Sequence, residues 1–210
     1  MKRIRPLLGC VVALAFVVAA APGFADPDPN SVHVKKLTYA GSGCPPGSTA
    51  LDLASDAKAF TLLFSEFIAE IGPGIPQREA RKNCQVSLTL HVPGGFTYGI
   101  AAVDYRGFAE IADGALGRQQ AVYYFQGQAP QATTWRDFWG PHTDNWHIRD
   151  EVEWASIVWA PCGVERSLNI NAQLRLEKQS ASSRTSSVMA MDSEDGSLNQ
   201  IYHIVWRPCP

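Results

Sequence analysis

Two stretches of the chain alternate strictly between apolar and polar residues, and they constrain the fold more than any other feature. In "CQVSLTLHV", Val86, Leu88, Leu90 and Val92 fall on one side while Ser87, Thr89 and His91 fall on the other. In "SLNINAQLRLE", Leu168, Ile170, Ala172, Leu174 and Leu176 alternate with Asn169, Asn171, Gln173, Arg175 and Glu177. Successive side chains of a strand point to opposite faces, so this pattern specifies strands with one buried and one wet face. Weaker strand signals lie in "KLTYAG", "TALDLA", "FTLLFSEFIAEI", "FTYGIAAVDYRGFAEI", "AVYYFQG", "ASIVWA" and "IYHIVWRPC". Turn-forming clusters separate them: "GSGCPPGS", "GPGIP", "VPGG" and "DSEDGS". No segment carries a helical stripe, although "PQREARKN" has the composition for one turn. The expected fold is therefore all-β: a single antiparallel β-sandwich, jelly-roll-like, of roughly nine strands.

The first residues, "MKRIRPLLGCVVALAFVVAAAPGFA", have the layout of a secretory signal. Lys2, Arg3 and Arg5 precede an apolar run from Leu7 to Ala21, which is short for a bilayer span of roughly 20 residues. Gly23 and Ala25 are the small residues a signal peptidase tests, placing the cut before Asp26. Cys10 mimics a lipoprotein box, but its apolar stretch follows the cysteine instead of preceding it. The expected organisation is a signal peptide over 1–25, a flexible leader over 26–40 and one domain over 41–210. No later segment is apolar enough to span a membrane, so the expected product is exported and soluble, extracellular or periplasmic.

Without residues 1–25, 15 basic side chains face 20 acidic ones, a formal charge of −5. Such a chain has no electrostatic footprint for a phosphate backbone, so nucleic acid is not an expected partner. Four cysteines remain: Cys44, Cys84, Cys162 and Cys209. An even count in an exported chain points to two disulfides. Three pairings are open. Cys44–Cys84 and Cys162–Cys209 are favoured because each pair lies beside strand patterns in its own half. There is no CxxC, so neither zinc nor redox chemistry is expected of them, and no Asn-x-Ser/Thr sequon occurs.

Several phrases resemble a family of exported proteins catalogued as domain of unknown function 4360. They are "GSGCPPGS", "FTLLFSEFIAEIGPGIPQREARKNCQVSLTLHVPGGF", "VDYRGFAEI", "AVYYFQGQ", "VWAPCG", "LNINAQLRL" and the closing "VWRPC". The resemblance runs from about Gly41 to Cys209. It implies small exported proteins of bacteria and fungi that share the four cysteines as a framework. It supplies no catalytic residues.

Chemistry-bearing residues concentrate in "TTWRDFWGPHTDNWHIRDEVEW", residues 133–154, with four of the six Trp. His142, Asp144, His147, Asp150 and Glu151 are close in sequence but lack the rigid ligand spacing of a metal site, and no metal or cofactor is expected. No GxSxG elbow marks a nucleophile. Glu66, Glu70, Asp104, Glu110, Glu151 and Glu153 are scattered, with nothing to mark a glycosidase pair. In "DSEDGS", Gly196 stands one place too early for an EF-hand, so a tight turn is expected. Arg78, Arg81 and Lys82 beside Cys84 have the charge to receive an anion, or they simply face water.

Trp154, Trp159 and Trp206 fall in strand patterns and are expected in the core. Trp135, Trp139 and Trp146 fall among loop formers. Residues 133–147 are expected to be a connection whose Trp side chains close one end of the sandwich. The other reading makes Trp135, Trp139 and Trp146 a platform for a ligand, a surface glycan or a cell-surface protein. The sequence thus points to an exported structural or binding protein, with a secreted hydrolase of spatially assembled site as the alternative.

Overall fold

The computed structural model describes residues 26–129, 131–178, 185–191 and 199–210. The signal over 1–25, most of "KQSASSRTSS" and "DSEDGS" lie outside the described residues.

The alternating stretches become the middle of a two-layer sandwich. β5 (Arg81–His91) and β10 (Leu168–Lys178) pair antiparallel in a five-stranded sheet. β1 (His33–Ala40) adds on the far side of β5, while β7 (Ala115–Phe125) and β8 (Gln131–Trp139) extend it beyond β10. The second sheet is built around the 16-residue strand β6 (Phe96–Ile111). Along one edge β6 pairs with β12 (Asn199–Pro208) and then β11 (Ser187–Ala190). Beyond them lie β3 (Ala59–Phe64), β2 (Thr49–Leu53) and β4 (Ile68–Ile71). β9 (His142–Glu151) also pairs with β6. The pairings are antiparallel throughout.

Period-2 alternation decides what meets in the middle. Val86, Leu88, Leu90, Leu168, Ile170 and Leu174 are all buried, and they face Phe60, Leu62, Tyr98, Ile100, Tyr105 and Tyr202 from the second sheet. Each such side chain contributes roughly 1.5–3 kcal/mol through removal from water. Phe60 stacks on Tyr202, and Tyr98 meets Phe125 edge to face across the layer. Two disulfides fix the rims: Cys44–Cys84 ties the β1–β2 loop to β5, and Cys162–Cys209 ties the loop before β10 to the end of β12. No helix among the described residues is long and apolar enough to cross a membrane.

The structure corrects three expectations. The leader expected over 26–40 is a strand from His33 onward, paired with β5. Val34, Leu37 and Tyr39 pack against the core, but an irregularity between Val34 and Lys36 breaks the period that would have announced them. The segment 133–147 is not an irregular connection: it is the end of one strand, a corner at the cis Gly140–Pro141 bond, and the start of another. The corner carries the chain from the edge of the first sheet to the second. "ASIVWA", expected as a strand, is a 3-10 turn over Trp154–Ser156 followed by a single bridge between Gly99 and Trp159.

Candidate functional site

The six Trp divide by face, and the division differs from the expected one. Trp146 is buried on the inner side of β9, against Phe138 and over Gly107, where any Cβ would overlap its ring. It is core, not a ligand contact. Trp206 is buried too, its indole N–H donating to the Ala57 carbonyl at 3.0 Å. Trp154, expected in the core, is 58% exposed and meets Trp159 edge to face, while the Arg207 guanidinium lies over the Trp159 ring. The physical reason is that the chain leaves the sheet after β9, and this segment keeps only one bridge to β6.

Trp135 and Trp139 do not close the sandwich. Both are 61% exposed and both lie on the outer side of β8. Four residues at roughly 3.3 Å each place them about 13 Å apart along one strand. Between them Asp137 accepts two bonds from Arg118, one at 2.7 Å, and this holds its carboxyl below the usual carboxylate range.

Register extends these positions across the sheet. Trp135, Gln120, Gln173 and Asn83 form one row over β8, β7, β10 and β5. Asp137, Arg118, Arg175 and Arg81 form the next. Arg81 donates to Gln173 at 2.7 Å and Arg175 to Glu177 at 2.8 Å. Nearer the other end of the sheet Ser87 donates to Asn169 at 2.8 Å. Gln120 and Asn171 make no side-chain hydrogen bond among the described residues. The outer face of the first sheet thus carries amides and guanidiniums, with Leu116 and Val122 among them and two free indoles along its edge.

One corner of that face opens into a cavity of about 640 Å³ lined by Ile71, Ile75, Pro76, Arg81, Arg175 and Lys178 among others. Of the cations singled out in the sequence, only Arg81 lines it, since Glu79 binds both Arg78 and Lys82. A smaller cavity of about 360 Å³ lies at the other end, with Glu165 on its rim. That carboxylate is already held by Lys35 at 2.7 Å and His91 at 3.1 Å.

The outer face of the second sheet carries a cluster that the sequence did not reveal. Asp104 on β6 receives His147 from β9 at 3.0 Å on one oxygen. Its other oxygen meets His203 from β12 at 2.6 Å and Arg149 at 2.7 Å. Burial pushes the Asp104 carboxyl up, but the bonds from His203 and His147 and the Arg149 charge outweigh it and hold the group low. The two imidazole nitrogens approach opposite oxygens of the carboxylate. Among the described residues no group of three or more His, Cys, Asp and Glu is placed to hold a metal ion. His142 and Asp144 stay outside this cluster. Glu151 joins only through Arg149 at 3.0 Å. Asp150 turns to the interior, where burial raises its carboxyl and Arg136 approaches at 3.8 Å. The scattered Glu66, Glu70 and Glu110 are not brought to Asp104 by any hydrogen bond or ion pair among the described residues.

A two-sheet all-β sandwich closed by two disulfides, with its polar chemistry on its outer faces, fits an extracellular protein. Residues 30–209 match the family model described as Domain of unknown function (DUF4360), and the chain belongs to that family. It is similar to an "Uncharacterized secreted protein" of Arthroderma benhamiae, 41% identical over 183 residues that cover 87% of this chain and 74% of that protein.

Proposed function

We propose that this is a secreted binding protein that contacts an extracellular glycan through the outer face of its first sheet. The observation that carries the reading is the pair Trp135 and Trp139, each 61% exposed, presented on the same face of one edge strand. A free indole on a flat surface offers an apolar face and a large area at low conformational cost, which suits the C–H face of a pyranose ring. The surrounding amides supply the donors and acceptors that sugar hydroxyls require. The buried centre of a protein interface is more apolar than its rim. Here Gln120 stands opposite Trp135 and the Arg118–Asp137 pair lies between the two indoles, with Leu116 the apolar side chain opposite Trp139.

The test is retention of the mature protein on an array of extracellular polysaccharides. Wild type is expected to bind at least one, and the double variant W135A/W139A to bind none with an unchanged melting temperature. Equal retention by the double variant rejects the reading. Release of reducing ends from the bound glycan would instead promote a secreted hydrolase.

A further inference from the structure

We infer that the glycan held by this face is acidic, a carboxylate- or sulfate-bearing polysaccharide that runs from the two indoles toward the cavity at the corner of the sheet. This inference rests on the glycan reading above and deepens it. Its ground is charge segregation. The complete chain carries a formal charge of −2, with 18 basic against 20 acidic residues. Yet the row running inward from β8 contains Arg118, Arg175 and Arg81 in register on three adjacent strands. Lys178 joins Arg81 and Arg175 in the lining of the cavity where that row ends.

Against these four cations the same region sets two carboxylates, Asp137 and Glu177. Asp137 is spent on Arg118 and Glu177 on the Nε of Arg175. Arg81 bonds only the neutral amide of Gln173, and Lys178 has no acidic partner among the described residues. Among the described residues, two positive charges at the cavity therefore have no compensating carboxylate. Strands about 4.8 Å apart put Arg118 and Arg81 roughly 10 Å from each other. With the separation of the indoles, the whole surface is larger than one sugar and suits a chain. Guanidinium groups recognise carboxylates and sulfates through paired N–H donors, which a lysine cannot imitate. A neutral glycan would satisfy the indoles and amides but leave Arg81 and Lys178 without an answering charge.

The test uses the mature protein and matched polysaccharides. Polygalacturonate and its methyl ester share a backbone and differ in charge, and alginate and chondroitin sulfate stand beside dextran and laminarin. Binding to one or more acidic members is expected, falling by about tenfold or more between 50 and 500 mM NaCl as the charges are screened. R81Q/R175Q should lose about tenfold in affinity, about 1.4 kcal/mol, with the melting temperature unchanged. W139A should also lose binding although it alters no charge, which separates recognition from simple ion exchange. Equal, salt-insensitive binding of neutral and acidic chains overturns the acidic assignment and leaves the glycan reading standing. Undiminished binding by R81Q/R175Q likewise overturns it, as does undiminished binding by W139A. Retention on no polysaccharide at all overturns the glycan reading itself.

Discussion

The outer faces of the two sheets carry similar residue types and use them oppositely. On the second sheet Asp104, His147, His203 and Arg149 are turned on one another, and the carboxylate is almost fully enclosed by its partners. On the first sheet Trp135, Trp139, Gln120 and Asn171 contact no comparable partner, and Arg81 and Lys178 look into a cavity. Polar groups that satisfy each other stabilise the fold that makes them. Polar and aromatic groups left unsatisfied are available to something else. This contrast is why the first face is read as a site and the second as a clamp across β9, β6 and β12.

Substitution separates the two faces, and the largest effect should come from the indole inside the corner. Trp146→Ala opens a cavity between Phe138 and Gly107 and is expected to cost about 3–5 kcal/mol in denaturant unfolding, whereas Trp139→Ala should stay within about 0.5 kcal/mol. Equal losses would mean that Trp139 is a structural lid after all. Next, Asp104→Asn weakens bonds to two imidazoles and a guanidinium. Much of that cluster is open to solvent, so about 1–3 kcal/mol is expected.

Asp104 also makes the stability of the second sheet depend on pH. The Asp104 carboxyl is held low in the folded chain, so its contribution is complete above the ordinary aspartate range. It is lost as pH falls through that range and down to the folded value. Wild type should therefore lose more stability than Asp104→Asn on acidification, and parallel melting curves would contradict the clamp. The smallest effect belongs to Asp150, whose carboxyl burial raises. A raised carboxyl costs the fold stability as pH climbs from the ordinary aspartate range up to its folded value, and the loss is complete above that. Asp150→Asn should accordingly raise the melting temperature slightly at pH 8 and leave it unchanged at pH 4, as calorimetry would show.

What could be read from the chain follows from which strands have two clean faces. β5 and β10 lie inside the first sheet with the core beneath and water above, so their alternation is uninterrupted and their positions are plain in the sequence. β8 and β9 are edges. β8 puts Trp135 and Trp139 outside and Thr134 and Arg136 on the side where apolar residues are expected. Their true period is two, but hydrophobicity no longer tracks it, and Gly140–Pro141 completes the likeness to a loop. β1 is hidden by its irregular pairing in the same way. The Asp104 cluster joins residues 43 and 99 positions apart in sequence, and only strand register assembles it. Its one signal was a carboxylate amid the apolar run of β6, which demands a partner. Period-2 reasoning does not say which.

The Cys162–Cys209 tie also matters for how the molecule ages outside a cell. The bond encloses β10, β11 and β12, and the Cys209 N–H donates to the Gly95 carbonyl of the β5–β6 turn at 2.8 Å. A protease that nicks the backbone anywhere from 163 to 208 therefore produces two pieces that stay one covalent molecule. The shorter piece would still be pinned at its end and, where the nick spares them, by its pairings within both sheets. Scission that would shed a terminal strand from an unbridged sandwich should here leave a clipped protein of unchanged mass, apart from the added water, until its disulfide is reduced.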